Sequence, residues 1–185
     1  MSAASVGEAL AGKRVLLTGA TGFIGTAILE RVLACLPETR LVLLIRGRGS
    51  RSAVKRAREL LDEHAFRPLR DRYGAAELLR TFSDPERVEV IEADFTVDDF
   101  TLPGDLDVVI HCAADTAFDR AIDAAFATNV VGCERFYSRV MASGSRPHLV
   151  HVSTAYVAGL RRGPILEGPA RVKVAWRAEA SAVAS

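Results

Sequence analysis

Val15-Leu16-Leu17-Thr18-Gly19-Ala20-Thr21-Gly22-Phe23-Ile24-Gly25 carries an apolar run into a turn with three glycines and an apolar helical pattern out of it. A strand that delivers a turn onto a helix N-terminus offers unpaired backbone N–H groups and the positive end of a helix dipole. That combination suits a pyrophosphate. Gly19 permits the tight turn, Gly22 lets the backbone approach phosphates with no Cβ in the way, and Gly25 lets the helix lie close to the sheet. The spacing is G-x-x-G-x-x-G, not G-x-G-x-x-G. Placed between a strand and a helix, it reads as a dinucleotide site, an ordinary glycine-rich turn being the alternative. The residues expected to hold the cofactor here are Gly19, Thr21, Gly22, Phe23, Ile24 and Gly25.

Outward from this turn the pattern is strand, helix, strand. Residues 1–12 read as a frayed lead-in, and 14–18 as a first strand buried on both faces of a parallel sheet. Ile24, Ile28, Val32 and Leu36 recur four apart with Ala27 beside them, which predicts one apolar helix face ended by Pro37. Residues 41–45, Leu-Val-Leu-Leu-Ile, give a second buried strand, completing a right-handed βαβ unit. The end of that strand discriminates cofactors: an acid there binds a ribose 2′-OH, a base accommodates a 2′-phosphate. Arg46 and Arg48 stand at this position, so NADPH is expected over NADH, with a solvent-facing loop base as the other reading of Arg46.

The composition sets bounds. A chain of 185 residues, 49% hydrophobic, suits one domain over residues 1–185. With 24 basic and 23 acidic side chains, no global field points to nucleic acid or an anionic membrane. Charge is uneven locally: residues 46–72 hold nine Lys/Arg against four acids, and residues 84–107 hold nine acids against Arg87. Cys35, Cys112 and Cys133 lie far apart without paired spacing or histidines at ligand intervals, so neither disulfides nor a metal site is expected. A reducing, cytoplasmic setting fits, and no apolar run approaches the roughly 20 residues of a membrane span.

Further along, residues 52–65 show helical periodicity with a basic face, and 67–82 a second helix around Leu69, Tyr73, Leu78 and Leu79. Residues 88–91 form the third strand, ending at Asp94 and Phe95. Residues 106–111 form the fourth, ending in small residues, Ala113 and Ala114, that let a dinucleotide pass close to the backbone. His111 reads as a satisfied core histidine. Residues 117–142 are expected as one long helix carrying Asn129. Residues 149–152 form a fifth strand, whose end presents the hydroxyls of Ser153 and Thr154 to the crevice where doubly wound sheets bind ligands. The expected fold is therefore α/β, a Rossmann-like doubly wound parallel sheet.

The wording Thr-Gly-Ala-Thr-Gly-Phe-Ile-Gly, the Arg-ended second strand, His111-Cys112-Ala113-Ala114 and His151-Val152-Ser153-Thr154-Ala155-Tyr156-Val157 resemble the reductase domain of fatty acyl-CoA reductases and related thioester reductases. These belong to the extended branch of the short-chain dehydrogenases/reductases, and the resemblance covers about residues 12–168. It implies NADPH-dependent reduction of an acyl-CoA or acyl-carrier thioester to an aldehyde or alcohol. It also implies that Asp94 accepts from the adenine amino group, that Asn129 steadies the active-site region, and that Thr154 is the catalytic hydroxyl with Ser153 its neighbour. The family takes its proton from a tyrosine with a lysine four residues on. Here Tyr73, Tyr137 and Tyr156 are followed by Glu77, Met141 and Leu160. The chain thus reads as the cofactor part, stopping before the substrate-binding region, with residues 169–185 the start of an incomplete helical segment. Little turnover by the chain alone is expected. The basic span 46–72 is expected to suit the phosphates of coenzyme A or an acidic carrier. Two other readings stand beside this one: a sugar-nucleotide epimerase or dehydratase that recycles NAD, and a non-catalytic dinucleotide-binding module.

Overall fold

The computed structural model describes residues 4–159 and 161–168. The chain runs α1 (Val6–Leu10), β1 (Arg14–Thr18), α2 (Phe23–Cys35), β2 (Arg40–Ile45), α3 (Ala53–Glu59), α4 (Arg67–Tyr73), α5 (Ala75–Ser83), β3 (Val88–Glu92), β4 (Val108–His111), α6 (Ile122–Phe126), α7 (Cys133–Ala142) and β5 (His148–His151). The five strands form one sheet in the order β3-β2-β1-β4-β5, all neighbours parallel. Strand order reverses at β1, so the chain ends of β1 and β4 diverge and leave a crevice between them.

Strand alternation distributes the core over both faces. Val15 and Leu17 point into a cluster with Leu29 and Val32 of α2 and with Leu60, Phe66, Leu78 and Phe82. Leu16 points the other way, with Val42, Val109, Phe136 and Val140, against α7. Both faces are covered, which is why β1 and β2 read as unbroken apolar runs. Arg87, just before β3, spans to the C-terminus of α2 and donates to the carbonyls of Val32 and Leu36 at 3.2 and 2.9 Å.

Several expectations need correction. Residues 4–12 are not a frayed lead-in throughout: Ser5 and Glu8 form a reciprocal capping box that starts α1. Of the face expected on α2, Val32 is buried and Ile28 and Leu36 pack against the same core, joined by Gly25 and Leu29, while Ile24 and Ala27 face solvent. The helix expected over 52–65 is α3 followed by two short 3₁₀ turns, and that over 67–82 is broken at Gly74, whose φ of +81° no helix accepts. The long helix over 117–142 begins only at Ile122, which is exposed, and passes through a π segment at Ala127–Gly132 before α7. The incomplete helical segment expected at 169–185 lies outside the described residues.

Candidate functional site

At the C-terminal ends of β1 to β4 lies a cleft of about 580 Å³. Its floor is the glycine turn. Gly19 has φ +70°, and a Cβ there would stand 2.7 Å from the Ala113 nitrogen, so glycine is required twice over. A Cβ on Gly25 would run into the Gly19 carbonyl. Gly22 differs, because its nearest neighbour would be the Gly19 oxygen at 3.3 Å and it borders the cleft. Gly22 is also the N-cap of α2 and supplies no side-chain cap, leaving the first-turn N–H groups to a ligand.

Of the expected turn residues, Gly19, Thr21 and Gly22 line the cleft. Phe23 and Ile24 do not: Phe23 is 96% exposed and Ile24 is exposed, since the first turn of α2 carries them away from the sheet. Gly25 acts from beneath, as the contact that seats α2 on the turn.

One end of the cleft is strongly basic. Arg46 lines it and reaches Asp94 at 3.4 Å. Arg48 does not line it, because residues 48–51 fold into a tight turn through paired backbone bonds between Arg48 and Arg51. Arg56, on α3, does line it, donating to the Arg46 carbonyl and, at 3.2 Å, to the Thr21 hydroxyl. Burial, then the charges of Arg46, Arg51 and Arg48, pull the Arg56 guanidinium below its ordinary pKa, with Glu59 partly offsetting them. A crowd of like charges that depresses a guanidinium is a local excess of positive potential, which an anion relieves. The sequence marks this span only as broadly basic, with Arg56 beside Lys55 and near Arg58. The structure separates them, since Lys55 and Arg58 line a second groove with Val54, Asp62 and Leu79. Ser52 caps α3 by accepting from the Lys55 N–H at 3.3 Å, and the Glu92 carboxylate anchors the same turn by accepting from the Ala53 N–H at 2.8 Å.

Asp94 and Phe95 both line the cleft at the end of β3. The Asp94 carboxylate accepts from the Thr96 hydroxyl and N–H at 2.6 and 3.0 Å. Burial alone would raise its pKa; those bonds and Arg46 bring it below the usual carboxylate value. Opposite, Ala113 and Ala114 line the cleft after β4. Asn129 does not touch it. Its side chain accepts from the Asp115 N–H at 2.7 Å and donates to the Asp115 carbonyl at 2.8 Å, clamping the loop that does. Arg120 ties the same residue at 2.9 Å. Gly132, the glycine that follows Asn129 in the sequence, lets the π segment press on the loop after β3, because a Cβ there would meet Thr96 and Phe95 at 2.9 and 3.0 Å.

Ser153 and Thr154 are exposed after β5 and neither lines the cleft. The Thr154 hydroxyl oxygen accepts from the Tyr156 N–H at 3.2 Å, capping a 3₁₀ turn. His111 is indeed a core histidine. It is fully buried, stacked on Phe136 at 4.6 Å, and its Nδ1 lies 2.8 Å from the Thr18 hydroxyl. Burial, helped by His151, pulls its pKa down to about 4. His111, Cys133 and His151, between which no ligand spacing was expected, converge with ligand atoms within 4.8 Å of one another. Spacing along the chain hides this, since the three come from β4, α7 and β5.

The chain matches the family model described as male sterility protein over residues 17–182. It is 31% identical over 171 residues to fatty acyl-CoA reductase 8 of Arabidopsis thaliana, covering 86% of this chain and 34% of that protein. It is 32% identical over 176 residues to the alcohol-forming fatty acyl-CoA reductase of Simmondsia chinensis, covering 89% and 35%. The chain thus spans about a third of the length of these relatives. Among solved structures, the terminal R domain of the myxalamid PKS-NRPS pathway superposes with a TM-score of 0.64 at 22% identity, over 87% of this chain and 40% of that one, and shows the shared fold. The thiolation-reductase di-domain of an archaeal non-ribosomal peptide synthetase gives 0.59 at 25% identity, over 81% and 30%. A Rossmann-like sheet with a nicotinamide-cofactor cleft at its switch point, matched to these reductases along most of its length, belongs to the male sterility protein family, in the fatty acyl-CoA and thioester reductase branch.

Proposed function

We propose that this chain holds NADPH for the reduction of a fatty acyl thioester, acyl-CoA or acyl-carrier, to aldehyde or alcohol. The observation that carries this reading is the arginine cluster at one end of the cleft, with Arg46 and Arg56 lining it and Arg48 and Arg51 close behind. Bound there, the cofactor supplies a hydride. The first-turn N–H groups of α2 receive the pyrophosphate. Arg46 and Arg56 receive the 2′-phosphate in charge-assisted bonds, each worth about 1.5–3 kcal/mol. Asp94 accepts from the adenine amino group, beside Phe95, and Ala113 and Ala114 leave room for the nicotinamide end. Thr21 anchors Arg56 through its hydroxyl.

Thr154 is the proposed catalytic hydroxyl. Its oxygen accepts from Tyr156, which leaves its own proton to donate to the thioester carbonyl, a contribution of about 3 kcal/mol where preorganised. Ser153 precedes it as a neighbour. No tyrosine of this chain has a lysine four residues on, so the chain alone binds cofactor and turns over little. The relatives support the substrate class by their names as fatty acyl-CoA reductases. The reading as a NAD-recycling epimerase has an arginine cluster against it.

Calorimetry with NADPH and NADH tests the reading. NADPH is expected to bind at least tenfold more tightly, and the paired change Arg46→Ala with Arg56→Ala is expected to erase the difference. Equal affinities in the unaltered chain would sink it. Rapid NADPH oxidation by this chain with a long-chain acyl-CoA would overturn the expectation of low turnover.

A further inference from the structure

A second cluster of chemically capable side chains lies away from the arginines, on the α7 face of the sheet. His111 ends β4 and His151 ends β5, and the two are register partners across parallel strands, so both rings project from the same face. Their rings stack with centroids 5.4 Å apart. Cys133, the first residue of α7, sets its sulfur 3.3 Å from His111 Nε2. Metal–nitrogen and metal–sulfur bonds of about 2.0 and 2.3 Å at a tetrahedral angle put ligand N and S roughly 3.5 Å apart. The His111–Cys133 pair already spans one such edge.

The surroundings orient these ligands as the outer partners of a metal site do. His111 Nδ1 is held by the Thr18 hydroxyl at 2.8 Å, leaving Nε2 turned to the sulfur. His151 Nδ1 is held at 2.7 Å by the Tyr137 hydroxyl. Two of the three ligand residues therefore have a ring nitrogen fixed by a neighbouring hydroxyl. The fully buried His111 and half-buried Cys133 are set in a packed face, while the exposed His151 on the outer strand gives the ion its way in and can close the remaining distance.

We propose that His111, Cys133 and His151 form a zinc site, with water completing four-coordination. Two imidazoles and a thiolate with no carboxylate among them match Zn²⁺ and exclude Mg²⁺ and Ca²⁺. On binding, the Cys133 thiol releases one proton to solvent and the sulfur lone pair forms the metal bond. The ion joins β4, β5 and α7, tying the exposed outermost strand to the helix packed beside it. It sits one residue from Cys112 and two from Ser153, so occupancy also steadies the strand ends that precede Ala113 and Thr154. The site is independent of the arginine cluster and does not rest on the proposed NADPH reading.

Co²⁺ titration of the purified, chelator-dialysed chain reads out the thiolate directly. One equivalent is expected to bring up a thiolate-to-cobalt charge-transfer band with intense tetrahedral d–d bands, displaced stoichiometrically by Zn²⁺. Cys133→Ser is expected to abolish the charge-transfer band, while Cys35→Ser and Cys112→Ser leave it unchanged. His151→Ala, a change at an exposed position that spares the core, is expected to weaken Zn²⁺ binding at least tenfold with the far-ultraviolet circular dichroism unaltered. Absence of the band in the unaltered chain, its survival in Cys133→Ser, or undiminished Zn²⁺ affinity in His151→Ala would each overturn the proposal.

Discussion

Gly22 and Gly25, three residues apart in one motif, do different work. A Cβ on Gly25 meets the Gly19 backbone, which cannot step aside. Gly25→Ala is expected to cost about 2–3 kcal/mol, seen as a lowered thermal midpoint with or without cofactor. A Cβ on Gly22 needs only a few tenths of an ångström from the Gly19 carbonyl and otherwise enters the cleft. Gly22→Ala is expected to keep stability within about 0.5 kcal/mol while weakening NADPH at least tenfold by calorimetry. A Gly22→Ala chain that binds NADPH as the parent does would remove the phosphate role assigned to this turn. Single residues were readable from the sequence where backbone geometry dictates them, as at Gly19. Arg56 was not, because a basic helix face says nothing of which arginine turns inward; that depends on where α3 starts, which the Ser52 cap and the Glu92 carboxylate fix together.

At the scale of elements, β1 and β2 follow from the sequence because a strand buried on both faces has to be apolar throughout. The helices were harder. Their limits are set by tertiary partners, such as Asn129, whose two bonds to Asp115 coincide with the π segment between α6 and α7. A π turn inserts an extra residue into a helix and is found most often where function needs a side chain re-aimed. Asn129→Ala is expected to cost about 1 kcal/mol for each bond lost and to weaken NADPH several-fold, although Asn129 touches no part of the cleft. Unchanged affinity in that variant would mean that the 113–117 loop holds its shape without the clamp. The same dependence explains why Ser153 and Thr154 could be placed at a strand end from sequence while their distance from the cleft lining could not.

Across the whole molecule, charge pairs tie the amino end of the sheet together. Asp107, before β4, accepts from the Lys13 ammonium at 2.8 Å and the Arg14 N–H at 2.9 Å, while the Arg14 guanidinium reaches Asp105 and Glu89. Lys13 and then Arg14 hold the Asp107 carboxyl below its usual value, against a small opposing effect of burial. A carboxylate whose folded pKa is depressed stabilises the fold above its unfolded value, near 4, and that stabilisation is lost as pH falls through the folded value. Asp107→Asn is expected to lower the thermal midpoint at pH 7 by roughly 2–4 °C, corresponding to about 1 kcal/mol. The difference from the parent should vanish in acid, and a difference that persists at pH 2 would point to packing instead. The reversal of strand order at β1 carries one more consequence. Thr18 pairs with Leu44 on one side and His111 on the other, so the glycine turn meets its opposite wall, Ala113, only after a loop of some ninety residues has closed. Loop-closure entropy delays such a pairing during folding. The nascent chain therefore displays the complete glycine signature long before it can hold a nucleotide, and binding competence is a late, cooperative event, a property of the finished sheet.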